Sequence, residues 1–468
     1  MANKFDLVVI GAGPGGYVAA IRAAQLGLKV ACVDKRETLG GTCLNVGCIP
    51  SKALLSASEK YIDASKNFSE IGIELSGLKI NLEKMLSKKD RVVAELTKGI
   101  QFLFKKNNVT RFHGEAVIKS ASEIEVTSVD GKATQLQTDK IIIAVGSEPI
   151  CLPNLAFDEK KIVSSTGALN LDRVPKRLVV IGGGYIGLEM GSVWSRLGSK
   201  VTVVEFLNKI VPNVDVEIGK QFQKNLEKQG IVFMLETKVV EVNVKDKKLE
   251  IIAEQINGED RETIECDVVL IAAGRKPCTD SLGLDEVGVK RGENGFIAVN
   301  ENFETSVPNI FAIGDCIPGP MLAHKAEEDG VATVEFIAGG SAHVDYNLVP
   351  SIIYTHPEVA SVGKTEEQLK NEKVEYTKGK FPFSANSRAR ANDDTDGFVK
   401  ILADSVSDQI LGVHIIGPEA GTLIHECATA MVYGASAEDI ARTCHGHPTL
   451  NEAIKEAALA VDGRAIHI

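Results

Sequence analysis

A β-α-β nucleotide-binding pattern occurs twice in this 468-residue chain, and this repetition constrains the fold more than any other feature. Each copy contains an apolar strand, a glycine-rich turn, a helix and a second strand that ends in an acidic residue. The turns begin at Gly11 and Gly182, and the acid follows 23 positions later in both copies, as Asp34 and Glu205. Corresponding residues lie 171 positions apart. The sequence therefore predicts an internal duplication with two dinucleotide sites.

The glycines and acids of both turns are suited to a dinucleotide. The glycines are Gly11, Gly13 and Gly16 in the first copy and Gly182, Gly184 and Gly187 in the second. They let the backbone approach a pyrophosphate, whose charge meets the N–H groups of the helix N-terminus. Asp34 would accept hydrogen bonds from a ribose. Glu205 favours NAD, because a carboxylate there binds the free 2′-hydroxyl and repels the 2′-phosphate of NADP. The alternative for the second copy is a structural relic with an empty pocket.

Two cysteines, Cys43 and Cys48, lie just downstream of the first turn. In a regular helix, residues five apart have Cα atoms roughly 8–9 Å apart, beyond the about 7 Å limit for a disulfide. A bridge therefore needs a distorted turn, which Gly47 and Pro50 permit or impose. Two packed thiols or half a zinc site are the alternatives, but no second Cys or His pair follows nearby, and no metal site is predicted. A disulfide beside a nucleotide cofactor indicates thiol–disulfide chemistry coupled to a flavin.

Composition and charge exclude several classes of protein. The net charge of −11 makes nucleic acid an unfavourable partner. No segment reaches the about 18 apolar residues of a membrane span. The first strand begins near Phe5 and leaves no room for a signal or transit peptide, so a cytoplasmic location is predicted, or a matrix location after processing. Cys32, Cys266 and Cys316 lie in or beside apolar runs and are predicted core residues.

Three further predicted strands end at glycine turns. They are Lys140 to Val145 before Gly146-Ser147, Asp267 to Ala273 before Gly274-Arg275, and Asn309 to Ile313 before Gly314-Asp315. Such turns let the chain cross close to a bound nucleotide. Asp315 is either a plain turn residue or an acceptor for a ribityl hydroxyl. The last 120 or so residues contain alternating strands and then helices without a glycine-rich motif, which favours a substrate-closing or dimerising role.

Together these motifs resemble the dihydrolipoyl dehydrogenase family of class I flavin-dependent pyridine nucleotide–disulfide oxidoreductases. The resemblance covers the whole chain and rests on Gly40-Gly41-Thr42-Cys43 to Cys48-Ile49-Pro50-Ser51-Lys52, Gly187-Leu188-Glu189, Met321 to Glu328, Tyr354 to Glu358, and His445 to Glu452. It implies an α/β fold with two Rossmann-like domains and an α+β C-terminal dimerisation domain. The implied domains are 1–149 for FAD and the redox disulfide, 150–280 for NAD, 281–349 as a central domain completing the FAD site, and 350–468 as the interface domain.

The resemblance also implies roles for individual residues. Cys43 would be the interchange thiol and Cys48 the thiol facing the flavin, while Lys52 would lie at the flavin and pair with Glu189. His447 would be the base for dihydrolipoyl thiols, oriented by Glu452. The implied FAD and NAD contacts are Gly11, Gly13, Gly16, Asp34, Gly41, Thr42, Lys52, Ala116, Gly146, Ser147, Asp315, Met321, Leu322, Ala323, His324, Gly182, Gly184, Gly187, Glu205, Val239, Gly274 and Arg275.

The implied activity is oxidation of protein-bound dihydrolipoamide to lipoamide through the Cys43–Cys48 disulfide and FAD, with reduction of NAD⁺ to NADH. The implied partners are a second copy, whose interface domain closes the active site, and the lipoyl domains and E2 core of 2-oxo-acid dehydrogenase complexes. The resemblance leaves open which complex is served, and whether the glycine cleavage H protein is a further partner. The rivals are a glutathione-like reductase, which would mostly use NADPH, and mercuric reductase, which would need a C-terminal cysteine pair. A non-catalytic role would leave the redox residues unexplained.

The C-terminal motif leaves two points open. Thr449 to Glu452 also fits a capping box with Thr449 as N-cap of the final helix, which alone would explain Glu452. His445 is expected to be a surface or packing histidine. The chain departs from the family pattern at Val145, often Thr, at Gly446, often Ala, and at Asp34, where the commoner Glu would be one methylene longer and hold a ribose more closely.

Overall fold

The computed structural model describes residues 3–153, 155–245, 248–258 and 260–468. The chain forms two compact units, each built from segments distant in sequence. The first unit comprises Met1–Leu54, Glu83–Ile150 and Gly274–Tyr346. The second unit comprises Leu55–Leu82, Cys151–Ala273 and Asn347–Ile468. Helices and mostly parallel sheets make up both duplicated segments, so the predicted α/β class is confirmed.

A seven-stranded sheet forms the centre of the first unit. Its order is Thr110–His113, Val30–Asp34, Asn3–Ile10, Ala133–Ile143, Glu123–Thr127 and Glu115–Ser120, with Ile310–Ala312 also pairing with Ala133–Ile143. The strands around Asn3–Ile10 run parallel to it. Leu7, Val8 and Val9 on this central strand are fully buried, as expected where helices cover both faces of a parallel sheet.

Helix Pro14–Gln25 follows the first glycine turn and packs against helix Ala323–Ile337 in the same unit. The two backbones meet at small residues, because a Cβ on Gly330 would lie 2.7 Å from the carbonyl oxygen of Gly15. The unit also contains helices Gly41–Val46, Leu82–Lys106 (from Glu83) and Leu284–Val287, and helix Cys48–Ile62 has residues in both units. Ser147–Pro149 pairs with Arg275–Pro277 in a separate two-stranded ribbon.

The second unit contains three sheets. The second nucleotide motif lies in a parallel sheet with the order Val232–Met234, Lys200–Val204, Arg177–Ile181, Val268–Ile271 and Ile162–Val163. The first antiparallel sheet has three strands, Thr237–Val244, Leu249–Gln255 and Arg261–Cys266. The second has five, in the order Ser351–Ile353, Glu358–Gly363, Ile410–Gly417, Phe398–Asp404 and Tyr376–Pro382. The helices are Ser165–Ala168, Tyr185–Arg196, Val216–Lys228, Glu366–Glu372, Ser387–Ala391, Ala420–Val432, Ala437–Arg442 and Glu452–Val461, with a π-helical turn at Asp63–Asn67.

A buried ion pair network ties helix Val216–Lys228 to the C-terminal sheet of this unit. The Lys400 ammonium lies 3.0 Å from the Asp215 carboxylate, and both side chains are almost completely buried. Asp215 is also the N-cap of the helix and accepts a 3.1 Å hydrogen bond from the Glu217 N–H. Glu366 is a second carboxylate on Lys400, and Glu217 is a third at 3.3 Å. Buried charges need such pairing, because an unpaired one would be strongly destabilising.

The predicted strands and helices are found, with ends shifted by one to seven residues. The three glycine-terminated strands are Ala133–Ile143, Val268–Ile271 and Ile310–Ala312. Cys32, Cys266 and Cys316 are fully buried as predicted, and burial raises the pKa of Cys266 and of Cys316 to about 12. Among the described residues, no helix combines the length and apolar character needed to cross a membrane.

Candidate active site

The first glycine turn is shaped by close backbone contacts. Gly11 has φ +105°, and a Cβ there would overlap the carbonyl oxygen of Ala144. A Cβ on Gly16 would overlap the carbonyl oxygen of Gly11. Asp34 closes the turn: its Oδ2 accepts a 2.6 Å hydrogen bond from the Ala12 N–H, and its Oδ1 accepts a 2.7 Å bond from the Arg36 N–H.

The second turn reproduces this arrangement. Gly182 has φ +107°, and a Cβ on Gly187 would overlap its carbonyl oxygen. Glu205 Oε2 accepts a 2.6 Å hydrogen bond from the Gly183 N–H, and Oε1 accepts a 2.8 Å bond from the Leu207 N–H. The duplication predicted from sequence therefore extends to the hydrogen bonds. The shorter Asp34 reaches its turn as closely as Glu205 does.

Both turns fit a dinucleotide pyrophosphate. The helices that follow, Pro14–Gln25 and Tyr185–Arg196, have Gly13 and Gly184 as N-caps and receive no side-chain capping bond there from any described residue. A Cβ on Gly184 would meet no atom within 4 Å. Phosphate oxygens are favoured at a helix N-terminus of this kind.

Cys43 and Cys48 form a disulfide with a Cα–Cα separation of 4.7 Å. Helix Gly41–Val46 ends at Gly47, which has φ −139° and ψ −115°, and helix Cys48–Ile62 begins immediately afterwards. The predicted distorted turn is therefore present. Gly47 packs tightly there, since a Cβ would lie 2.9 Å from the Thr42 carbonyl oxygen and 3.1 Å from the Cys43 Cα.

The disulfide segment contacts the first nucleotide turn directly. Gly41 has φ +57°, and a Cβ on it would lie 2.5 Å from the Gly13 Cα. Asn45, between the two cysteines, holds this approach: its Nδ2 donates to the carbonyl oxygens of Gly41 at 2.8 Å and Leu39 at 3.1 Å. Its Oδ1 accepts a 2.6 Å bond from the Thr38 hydroxyl. The sequence analysis missed Asn45, although a polar residue between two reactive cysteines was a signal.

Ser147, Arg275 and Asp315 form one hydrogen-bonded group in the first unit. The Ser147 hydroxyl donates to Asp315 Oδ2 at 2.5 Å and accepts from Arg275 Nε at 2.8 Å. Arg275 Nη2 also donates to the Ser147 carbonyl oxygen at 2.6 Å. Asp315 is therefore more than a plain turn residue, because its side chain orders the turn after Gly146. Gly274 and Arg275 belong to this unit, whereas the second glycine turn and Glu205 belong to the other.

A buried ion pair that the sequence analysis missed supports the turn before Asp315. Lys325 and Asp329 are fully buried, with a 2.7 Å contact. Asp329 accepts a 3.0 Å bond from the Gly314 N–H and a 2.9 Å bond from the Tyr346 hydroxyl. Lys325 donates to the Gly314 carbonyl oxygen at 3.2 Å. Burial raises the pKa of Asp329, and its contact with Lys325 opposes that rise. A Lys–Asp pair four residues apart in one predicted helix was the only local signal, and it does not show that the pair is buried.

The remaining flavin candidates also belong to the first unit. Ala116 is buried in strand Glu115–Ser120, and Thr42 is half-buried in helix Gly41–Val46. Met321, Leu322, Ala323 and His324 are half-buried around the start of helix Ala323–Ile337. All fifteen residues from Gly11 to His324 in the implied FAD set thus fall in one compact unit.

Lys52 and Glu189 are placed in different units. Glu189 is buried on helix Tyr185–Arg196, and its Oε1 accepts a 3.1 Å hydrogen bond from the Tyr354 N–H. The pairing of Lys52 with Glu189 stays a prediction. Val239 lies half-buried on strand Thr237–Val244 of the second unit, next to a bulge.

His447 and Glu452 meet in the second unit. His447 Nδ1 lies 2.8 Å from Glu452 Oε1, and Glu452 Oε2 accepts a 2.8 Å bond from the Thr449 N–H. Burial would raise the pKa of Glu452, but the bonds from Thr449 and His447 outweigh it and the net direction is downward. An ionised carboxylate only accepts, so Nδ1 carries the proton and Nε2 is left as the acceptor. The side chain of His447 is 69% exposed, which leaves this nitrogen accessible.

One expectation for this motif is corrected. The final helix begins at Glu452 with Asn451 as N-cap, and the Thr449 hydroxyl donates to the Gly446 carbonyl oxygen at 2.8 Å instead of capping the helix. The capping box is therefore incomplete, because only the Glu452 half of it forms. Of the two alternatives expected for His445, surface or packing, the structure shows packing: its side chain is 6% exposed and lies 2.7 Å from Glu426.

Family models match almost the whole chain. The model described as pyridine nucleotide-disulphide oxidoreductase matches residues 5–330, and the dimerisation domain of the same family matches residues 349–458. With the fold and the disulfide described above, these matches define the class of protein. The chain belongs to the pyridine nucleotide-disulphide oxidoreductase family.

Comparison with individual proteins shows which members of the family the chain is similar to. The chain is 59% identical over 467 residues to dihydrolipoyl dehydrogenase 1, mitochondrial, of Arabidopsis thaliana, covering 100% of this chain and 92% of the relative. It is 60% identical over 459 residues to a leghemoglobin reductase of Vigna unguiculata, covering 98% and 88%. The solved structure of LpdA from Mycobacterium tuberculosis is similar in fold, with a TM-score of 0.90, 24% identity, and coverage of 98% and 99%.

These findings settle several predictions. The family resemblance and the cofactors FAD and NAD are confirmed, and the dimerisation domain supports a homodimer. The predicted cytoplasmic location is wrong. The dihydrolipoyl dehydrogenase relatives are named mitochondrial, which points to the mitochondrion instead.

Gly47→Ala should weaken the Cys43–Cys48 disulfide, because a methyl group would press on Thr42 and Cys43 and widen the turn. We expect the midpoint potential of the pair to become less negative by about 30 mV, which corresponds to a tenfold change in the equilibrium. Alkylation and mass spectrometry of the protein in redox buffers would measure it. Gly99→Ala, in helix Leu82–Lys106 with no atom near the added methyl, is the control. An unchanged potential would show that the tight turn at Gly47 does not control the dithiol.

Proposed function

We propose that this chain is a dihydrolipoyl dehydrogenase, which oxidises protein-bound dihydrolipoamide and reduces NAD⁺. One observation carries the proposal: a disulfide, Cys43–Cys48, contacts a dinucleotide turn within a single compact unit. The full-length similarity to a dihydrolipoyl dehydrogenase supports the choice of substrate. The buried Glu205 on the second turn supports NAD over NADP and argues against a glutathione-like reductase.

His447 begins the reaction by accepting a proton at Nε2 from a dihydrolipoyl thiol, which is a poor nucleophile until deprotonated. Glu452 holds the ring in the required tautomer through Nδ1. The substrate thiolate attacks Cys43 Sγ, so the Cys43–Cys48 bond breaks and a mixed disulfide forms. The second substrate thiolate then displaces Cys43, leaving lipoamide and two reduced cysteines. Two electrons have moved from the substrate to the protein.

Cys48 is suited to hold the negative charge that results. It is the first residue of the 15-residue helix Cys48–Ile62, whose N-terminus favours a thiolate. Cys43 lies within the short helix Gly41–Val46 and receives less of this stabilisation. Bound FAD supplies the chemistry that converts the electron pair of the dithiol into a hydride for NAD⁺. Lys52 is proposed to lie at the flavin.

The remaining proposals concern organisation and partners. We assign residues 1–149 to FAD binding, 150–280 to NAD binding, 281–349 to a central domain and 350–468 to the subunit interface. The substrates are lipoyl domains, and the partners are the E2 core of a 2-oxo-acid dehydrogenase complex and the glycine cleavage H protein. The implied FAD residues all lie in one compact unit. This supports the proposal that residues 281–349 complete the FAD site formed by residues 1–149.

Separate substitutions of the two cysteines test the proposed function. Cys43→Ser should keep a long-wavelength absorbance band from a Cys48 thiolate beside oxidised flavin but lose lipoamide turnover. Cys48→Ser should lose both, because no thiolate then faces the flavin. Absorbance spectra and steady-state rates of the holoenzyme give the answer, with the exposed Cys151→Ser as control. Full lipoamide activity in both variants would refute the dithiol assignment.

Glu205 should make NAD preferred over NADP by at least about tenfold in kcat/KM, or about 1.4 kcal/mol. Glu205→Gln removes the charge that repels a 2′-phosphate and should reduce the preference, and Glu205→Arg should shift it toward NADP. Both variants also disturb the bond to Gly183, so total efficiency should fall and the ratio is the quantity to compare. Steady-state kinetics with both nucleotides decide the matter. Equal efficiency of the wild-type enzyme would contradict the assignment.

A shared active site can be tested by complementation. If His447 of one chain serves the disulfide of the other, Cys48→Ser and His447→Gln chains should restore each other in mixed dimers. Random reassociation gives about half mixed dimers with one intact site each, so about a quarter of all sites should recover. Activity and native mass spectrometry of the mixture provide the measurement. Confirmed mixed dimers without activity would mean that each site is built within one chain.

A further inference from the structure

One carboxylate holds both ends of the segment that carries His447. Glu426, on helix Ala420–Val432, lies 2.7 Å from His445 Nε2 through its Oε1. Its Oε2 accepts a 2.6 Å hydrogen bond from Asn451 Nδ2. His445 precedes His447 by two residues, and Asn451 directly precedes Glu452. His447 thus lies between two side chains that share a single partner, and Glu452 directly follows the second of them.

The two histidines differ in the exposure of their side chains. The side chain of His445 is 6% exposed, whereas that of His447 is 69% exposed. The other ring nitrogen of His445 lies 3.0 Å from the Thr443 carbonyl oxygen, so the ring is fixed at both nitrogens. His445 therefore anchors the segment, and His447 extends from it.

A glycine within the segment makes such anchoring important. Gly446 separates the two histidines and has more backbone freedom than the alanine often found at this position in the family. Its space would accept a methyl group, because a Cβ would meet only the Thr449 Cγ2 at an ordinary 3.6 Å. Lys455 and Asn386 also hold the segment, but through the backbone carbonyl oxygens of Thr443 and Thr449.

We propose that Glu426, acting through His445 and Asn451, is a positioning residue that keeps His447 and Glu452 in the geometry for proton transfer. The inference rests on the proposed role of His447 as the thiol base. Glu426 itself does not contact the substrate; it limits the motion of the segment that presents the base. Displacement of a catalytic group by about 1 Å can reduce a rate up to about 10²-fold.

Glu426→Ala should lower kcat for dihydrolipoamide oxidation by about tenfold or more and change KM by less than about twofold. Electron transfer from NADH to ferricyanide needs no thiol base and should stay within about twofold of the parent. Hydrogen exchange should accelerate in the peptide covering residues 443–452. His425→Ala, an exposed neighbour on the same helix, is the matched control and should change none of these values.

Two double variants separate positioning from general destabilisation. In the His447→Gln background, Glu426→Ala should cost less than about twofold more, because a positioning residue has no effect once its target is gone. Adding Gly446→Ala to Glu426→Ala should restore activity at least about threefold by reducing backbone freedom. If Glu426→Ala fails to fold, Glu426→Gln keeps the volume but offers one acceptor oxygen to two donors, and an intermediate loss is expected.

The outcomes are distinguishable. Unchanged lipoamide turnover in Glu426→Ala, or an equal loss in the presence and absence of His447, would overturn the positioning role and leave the proposed function intact. Full lipoamide turnover in His447→Gln would instead overturn the assignment of the base, and the positioning role would fall with it.

Discussion

Each nucleotide turn depends on one hydrogen bond between the turn and the end of the neighbouring strand. The Ala12 N–H reaches Asp34 and the Gly183 N–H reaches Glu205, both at 2.6 Å. Because Asp34 ends its strand and Glu205 directly follows its own, the pairing of the adjacent parallel strands brings each acceptor to its turn. A carboxylate oxygen has lone pairs beyond those used here, so the same group that shapes the turn can also accept ribose hydroxyls. One side chain in each copy therefore shapes the turn and keeps further acceptor capacity.

Most of the framework follows from local sequence. Apolar strands that end at Gly11, Gly146, Gly182 and Gly314 are recognisable because a left-handed glycine marks the end of each strand or the turn after it. The disulfide was predictable because Cys43 and Cys48 are close in sequence and Gly47 allows the break between them. The start of a helix at Cys48 was not predictable, because the sequence does not show at which residue a helix begins after a distorted turn.

The parts that sequence did not predict are polar contacts between distant segments. The role of the Lys325–Asp329 pair was not predictable, because Asp329 binds Gly314 and Tyr346, which lie outside its helix. The capping box at Thr449 failed because a nearer acceptor, the Gly446 carbonyl oxygen, takes its hydroxyl. The predicted location failed for another reason: it rested only on where the first strand begins, which does not report the compartment.

The contact of Gly41 with Gly13 joins two functions that are usually considered separately. The disulfide segment rests on the loop proposed to hold the pyrophosphate of the flavin nucleotide, with no side chain between the two backbones to absorb movement. Any distortion of that loop is transmitted to the sulfur atoms. Substitutions that distort this loop should therefore weaken cofactor retention and alter thiol reactivity together.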